Sequence, residues 1–164
     1  MSSVGRMCAR GKLAEVREAI GRGEDVNDKN FSDRTGLMLA VAYKHNSIVK
    51  LLLEQSTLDL NSTNTYGKTA LHFAAIYDNV EGARLLLADP RLNTHNHKDI
   101  EGYTPVMMAI LHKTVNALRE LVAHPSVDLD TRDVQGRSLE DLARWVQQQI
   151  IQTFYFLLQG FGIW

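Results

Sequence analysis

Apolar residues in this chain come in short dense blocks that alternate with polar gaps. LMLAVA (37–42) is followed by IVKLLL (48–53), ALHFAAI (70–76) by ARLLL (83–87), and PVMMAIL (105–111) by ALRELV (117–122). Each pair of blocks leads into a polar segment carrying Asp or Asn: LDLNSTN, LNTHNHKD and VDLDTRD. The pattern predicts a recurring unit of turn, short helix, tight turn, second helix and extended loop.

The unit repeats with a period of about 34 residues. The stretches DRTGLMLAVA (33–42), GKTALHFAAI (67–76), GYTPVMMAIL (102–111) and GRSLEDLARW (136–145) fall into register, with Thr35, Thr69, Thr104 and Ser138 separated by 34, 35 and 34. These hydroxyl residues stand where a helix N-cap belongs, able to accept a free N–H of the first turn. Pro105 suits a first helical position, because its missing N–H would be unpaired there anyway. Ala40, Ala74, Ala109 and Ala143 recur five positions after the hydroxyls and let helices of adjacent units approach closely. No unit can bury its leucine-rich second helix alone, so the units must stack.

The stretch GKTALHFAA, with its variant GYTPVMMAI and the period, resembles the ankyrin-repeat family. A degenerate first unit is visible in ARGKLAEVREAIGRGEDVND (9–28), read as helix-loop-helix followed by a D-V-N exit. The resemblance implies an all-α solenoid of stacked helix-turn-helix units with β-turn or hairpin loops. It covers 1–164 as a single domain of about five repeats (1–30, 31–63, 64–98, 99–132, 133–164), the first and last being degenerate caps. It also implies that His72 hydrogen-bonds neighbouring turns. Three departures stand out. Met38, Met107 and Asp141 replace that histidine elsewhere; Lys44, Asp78, Lys113 and Gln147 stand where a glycine is usual between helices; and LNTHNHKD carries one extra residue.

Composition narrows the function classes. The chain has 164 residues, 45% hydrophobic and 23% charged, as an ordinary soluble protein does. A formal charge of −1 gives no global attraction to nucleic acid or an anionic membrane. The one cysteine, Cys8, leaves no internal disulfide framework, and MSSVGRMCARGK has no apolar run, so a cytoplasmic or nuclear setting is expected. The most apolar segment, IIQTFYFLLQGFGIW (150–164), falls short of the ~20 residues of a membrane helix and is broken by Gln152 and Gln159.

Candidate chemistry is sparse. Gly67-Lys68-Thr69 looks like the end of a phosphate-binding loop, but Ser62 stands where that loop needs glycine. No G-x-S-x-G occurs, so no catalytic residue, cofactor or enzymatic activity is expected. His95 and His97, with Asp99, are the best metal suggestion, yet they lack H-E-x-x-H spacing or a cysteine partner, and a solvated loop is the better reading. Asp128, Asp130 and Asp133 lack the glycine and glutamate of a calcium loop. The resemblance also makes Asn61 a candidate for asparaginyl hydroxylation.

The family's variable binding positions, carried onto this chain, line a concave face of turn tips and first helices. They fall on Phe31, Ser32, Arg34 and Tyr43; on Thr65, Tyr66, Lys68 and Tyr77; on Ile100, Glu101, Tyr103 and His112; and on Gln135, Arg137 and Trp145. Four of the five tyrosines are among them, and Tyr, Trp and Arg dominate binding energy at interfaces. The expected function is a non-enzymatic adaptor holding another protein or peptide there, with Arg34, Lys68 and Arg137 selecting acidic groups. The alternative is a self-assembling unit: Ile151, Phe154, Phe156, Phe161 and Trp164 would then cap the stack, form a homo-oligomer contact, or lead into a longer chain.

Overall fold

The computed structural model describes residues 3–148. Eight helices pair in chain order: α1 (Ser3–Ala9) with α2 (Leu13–Gly21), α3 (Gly36–Ala42) with α4 (Asn46–Leu53), α5 (Ala70–Ile76) with α6 (Val80–Leu87), and α7 (Pro105–His112) with α8 (Val115–Ala123). Residues 139–148 form a ninth helix, α9, and no strand occurs among the described residues beyond an isolated bridge between Lys29 and Thr35. The architecture is an all-α repeat solenoid.

Helices of seven to nine residues are far too short to persist alone in water. Packing holds them. The first helices stack α1 on α3, α3 on α5 and α5 on α7, and the second helices form a parallel layer of α2, α4, α6 and α8. α3 and α5 are buried along nearly their whole length, from Gly36 to Val41 and from Ala70 to Ala75. The second helices are amphipathic: α4 buries Ile48, Val49, Leu51 and Leu52 and leaves Ser47 and Lys50 in solvent. Ala40, Ala74 and Ala109 are wholly buried where first helices touch, as their spacing implies. Ala143 is exposed, so close approach at that place is confined to the first three.

Three of the four missing glycines leave a visible mark. Lys44, Asp78 and Lys113 all adopt left-handed backbone, with φ of 59°, 51° and 60°. Gln147 does not: it lies inside α9, which continues past the position where the earlier first helices turn. The first unit also begins earlier than its sequence pattern suggests. Its two helices span 3–21, and of the stretch 9–28 only the second helix is helical throughout.

Two polar ladders run across the units. At the starts of α4, α6 and α8, His45, Asn79 and Thr114 reach back to carbonyls on the first helix of the preceding unit: Ala9 at 3.2 Å, Val41 at 2.8 Å and Ala75 at 2.6 Å. In the exit loops Asn27, Asn61 and Asn96 each donate Nδ2–H to a carbonyl about thirty residues on (Thr57, Arg91, Ser126) and accept the N–H of Asp59, Asn93 and Asp128. These bonds tie units that share no local sequence contact. The residues of the apolar end, Ile151, Phe154, Phe156, Phe161 and Trp164, lie outside the described residues.

Candidate protein-interaction surface

Four turns precede the first helices α3, α5, α7 and α9, and one device builds them all. Asn30, Asn64, Asp99 and Asp133 open the turns, and the Oδ1 of each accepts the N–H groups two and four residues on, at 2.8–3.0 Å. The fourth turn residue is left-handed: Asp33, Gly67, Gly102 and Gly136, with φ of 53°, 70°, 81° and 76°. At Gly67 a side chain would also lie 3.1 Å from the N of Ile100 and 3.2 Å from Cα of Asp99. Glycine there serves close packing of turns. Backbone bonds join neighbouring tips, Thr65 N–H to the Ser32 carbonyl and Ile100 N–H to that of Tyr66. The sequence reading weighed Asp99 and Asp133 only as metal ligands and did not recognise the four Asn/Asp positions as turn openers, although they recur in the same register as the threonines.

The caps differ from one another. Thr35 Oγ1 accepts from the Met38 N–H at 3.3 Å. Thr69 and His72 form a capping box, and Ser138 and Asp141 exchange bonds in the same way. Thr104 departs from expectation: its hydroxyl is buried and has no hydrogen-bond partner among the described residues, so Pro105 rather than a hydroxyl cap starts α7.

His72 is fully buried. Its Nε2 lies 3.0 Å from the Tyr103 carbonyl, which can only accept, so Nε2 carries the proton. Nδ1 then accepts the Thr69 N–H at 3.1 Å. Burial pushes its pKa down to about 4, with His97 and Lys68 adding to the same direction. A neutral ring in one tautomer, bonded at both nitrogens, is a fastener between turns; it has no free valence for catalysis.

The sequence-derived binding positions divide into two groups. Phe31 is 93% exposed, Ile100 67%, Tyr43 58%, Tyr66 53%, and Tyr77 and Trp145 45% each. Val134, 68% exposed, joins them although the sequence reading passed over it. It stands directly after Asp133, as Phe31 follows Asn30 and Ile100 follows Asp99, and that register was the available signal. Tyr43, Tyr77 and His112 each sit just before the left-handed residue that ends a first helix, so they form one row. Burial lowers the pKa of His112, and the Lys68 charge adds to that.

The second group is drawn into the stack. Lys68 is paired with the fully buried carboxylate of Asp99 and is itself mostly covered. It does not project as a free cation. Arg137 is held by Asp133 at 2.6 Å, donates to the Tyr103 hydroxyl at 2.9 Å, and lies 5.6 Å from the Trp145 ring centroid. Tyr103 is half-buried, its hydroxyl occupied by that bond. Against its burial, which pushes upward, bonds from Arg137 hold the Asp133 carboxyl below the usual range. Arg34 lies 5.3 Å from the centroid of Phe73, which stacks on Tyr77.

The other candidates disperse. His95 stacks on His124 at 5.3 Å, and His97 meets the edge of His72 at 6.2 Å, so the two loop histidines face different neighbours. Among the described residues no group of three or more His, Cys, Asp or Glu is arranged to hold a metal ion, and no helix is long and apolar enough to cross a membrane. Cys8 is buried, and burial pushes its thiol up to about 12. Both polar ends of the Asn61 amide are bonded within the exit-loop ladder.

A family model for ankyrin repeats matches residues 5–96 in three copies, more than half of the chain. Among curated relatives, the E3 ubiquitin-protein ligase XBAT33 of Arabidopsis thaliana is 37% identical over 81 residues, 49% of this chain and 16% of that protein. BTB/POZ domain-containing protein 1 of Schizosaccharomyces pombe is 34% identical over 116 residues, 68% of this chain and 8% of that protein. Inversin of Gallus gallus is 31% identical over 134 residues, 80% of this chain and 12% of that protein. The chain therefore corresponds to less than a fifth of each of these relatives.

Proposed function

Because the chain belongs to the ankyrin-repeat family, whose repeats generally mediate protein–protein interaction, we propose that it is a non-enzymatic interaction module. It holds a protein or peptide against the turn tips and first helices, the concave side of the stack. The observation that carries this reading is the run of exposed apolar side chains Phe31, Tyr43, Tyr66, Tyr77, Ile100, Val134 and Trp145 on those elements. These are seven of the ten large apolar side chains exposed among the described residues, and a concentration of such groups on one set of elements is what a partner-covered surface presents. Aromatic groups on a rigid scaffold lose little entropy when buried, so a few anchors carry the affinity.

The stack supplies rigidity through the turns, whose backbone is pinned by Asn30, Asn64, Asp99 and Asp133, and through His72. Lys68 and Arg137 serve this rigidity more than they serve recognition. Tyr66 and Tyr77 are the anchors of choice for a test, since neither hydroxyl takes part in the turn bonds that hold the stack.

Purified chain carrying Tyr66→Ala or Tyr77→Ala should keep its helical circular-dichroism signal and lose at least ten-fold in affinity for a partner captured by the parent chain. Unaltered affinity in both variants would place the interface elsewhere.

A further inference from the structure

The cations of the proposed interaction face are not equivalent. Lys68, Tyr103, Arg137 and Arg34 occupy the same turn position, directly before the capping hydroxyl. Lys68 finds its carboxylate in the following turn, at Asp99. Arg137 finds one at the start of its own turn, at Asp133. For Arg34 both places are asparagine: Asn30 opens its own turn and Asn64 opens the next. The amide oxygens still pin the turns, but the negative charge is gone. Arg34 consequently has no ion pair among the described residues, and its Nε is closed off from solvent with no hydrogen-bond partner.

Two further arginines stand on the first unit, at the adjoining end of the stack. Arg10 directly precedes Gly11, whose φ is +70°, as Tyr43 precedes Lys44 and Tyr77 precedes Asp78. It is thus the first member of the row that Tyr43, Tyr77 and His112 continue. Arg6, four residues earlier on α1, shares that helix face. Both are exposed, neither has an ion pair among the described residues, and with Met7, Lys12 and Glu15 they line a recess of about 430 Å³.

Resting on the interaction-module reading, we infer that this end of the face recognises an acidic segment of the partner protein, with carboxylates engaging Arg34, Arg10 and Arg6 while neighbouring apolar side chains cover Phe31 and Tyr43. The closed Nε of Arg34 leaves its terminal nitrogens for the carboxylate, an end-on pair of N–H donors. Seating the guanidinium near Phe73 orders it in advance and limits the entropy lost on binding. Glu15, 3.9 Å from Lys12, and Asp33, next to Arg34 on the turn, set an upper limit on the negative charge tolerated. Together with a net charge of −1 they favour one or two carboxylates over a polyphosphate.

The test is selection of a random 12-residue peptide library on the full chain, followed by affinity measurement with the selected peptides. Selected sequences should be enriched in Asp and Glu beside aromatic or aliphatic residues. Arg34→Gln should weaken them at least ten-fold, Arg34→Lys less, and Arg6→Gln with Arg10→Gln about three-fold or more. Changing the peptide acids to amides should weaken binding to the parent chain but not further to the triple variant Arg6→Gln, Arg10→Gln, Arg34→Gln. Urea unfolding of each variant verifies its fold.

A selection that returns no acidic enrichment, or peptides indifferent to all three arginines, overturns the inference; the interaction-face reading survives if Tyr66→Ala and Tyr77→Ala still abolish binding, and falls with it if they do not. Binding of a 12-nucleotide oligothymidylate more tightly than the peptides also overturns it.

Discussion

The imidazole Nε2 of His72 lies 3.0 Å from the backbone carbonyl oxygen of Tyr103, joining two turns thirty-one residues apart. One buried ring fastens a helix start in one unit to the turn of the next, and its chemistry makes the fastening sensitive to pH.

In the folded chain His72 titrates at about 4, against the ordinary value of 6.5 in the unfolded chain. As pH falls the unfolded state takes up a proton first, so stability is highest above 6.5 and drops until pH reaches about 4. A shift of this size corresponds to roughly 3 kcal/mol. Burial also lowers the pKa of His95 and His112, with the same sign. Urea unfolding across that window, in the parent and in His72→Gln, isolates the His72 contribution: the variant should be less stable at pH 7 and should lose less on acidification.

The turn at Asp99 separates the value of a charge from that of a hydrogen-bond acceptor. Asn30 and Asn64 show that asparagine pins the same turn. Asp99→Asn should therefore keep the N–H bonds and lose only the pairing with Lys68. Asp99→Ala removes both and should cost about 2–4 kcal/mol. Lys68→Ala, which strands a buried carboxylate, should cost more than the double change Lys68→Met with Asp99→Asn. Denaturant midpoints of the four proteins decide the order.

Left-handed backbone at non-glycine residues offers a paired test. Lys113 is exposed, and among the described residues no side-chain bond justifies its φ of 60°, so Lys113→Gly should stabilise the chain by about 0.5–1 kcal/mol. Asp78 has the same conformation, but its carboxylate accepts Asn116 Nδ2–H at 2.9 Å and Ala117 N–H at 2.8 Å in the next unit. Asp78→Gly should therefore destabilise by about 1 kcal/mol. Thermal melts moving in the same direction would contradict this account.

Asn61 stands in the middle of the exit-loop ladder, bonded to the Arg91 carbonyl at 2.9 Å and to the Asn93 N–H at 3.0 Å. Asn61→Ala removes these two bonds and the one its Oδ1 accepts from Thr94 Oγ1 at 3.2 Å, and should cost about 1–3 kcal/mol, a fall of about 2–4 °C in Tm for each kcal/mol in a chain of this length. An unchanged melt would mean that solvent satisfies those groups equally well.

The sequence by itself determined the repeat. A period of about 34, hydroxyl caps, buried alanines and leucine-rich second blocks follow from local chemistry and binary patterning, which are written residue by residue. The family resemblance carried by that repeat also singled out Phe31, Tyr43, Tyr66 and Tyr77, which the structure leaves exposed. Only the stacked structure decided which neighbours each side chain meets across units. That is why Lys68, expected to project, is consumed by Asp99; why Thr104 lacks the bond its position implies; and why Val134 is exposed. Charge compensation and hydrogen-bond satisfaction depend on groups about thirty residues apart in sequence and a few ångströms apart in space. Two Asp-to-Asn differences, at Asn30 and Asn64, look conservative along the chain; in three dimensions they leave Arg34 as a cation without a carboxylate among the described residues.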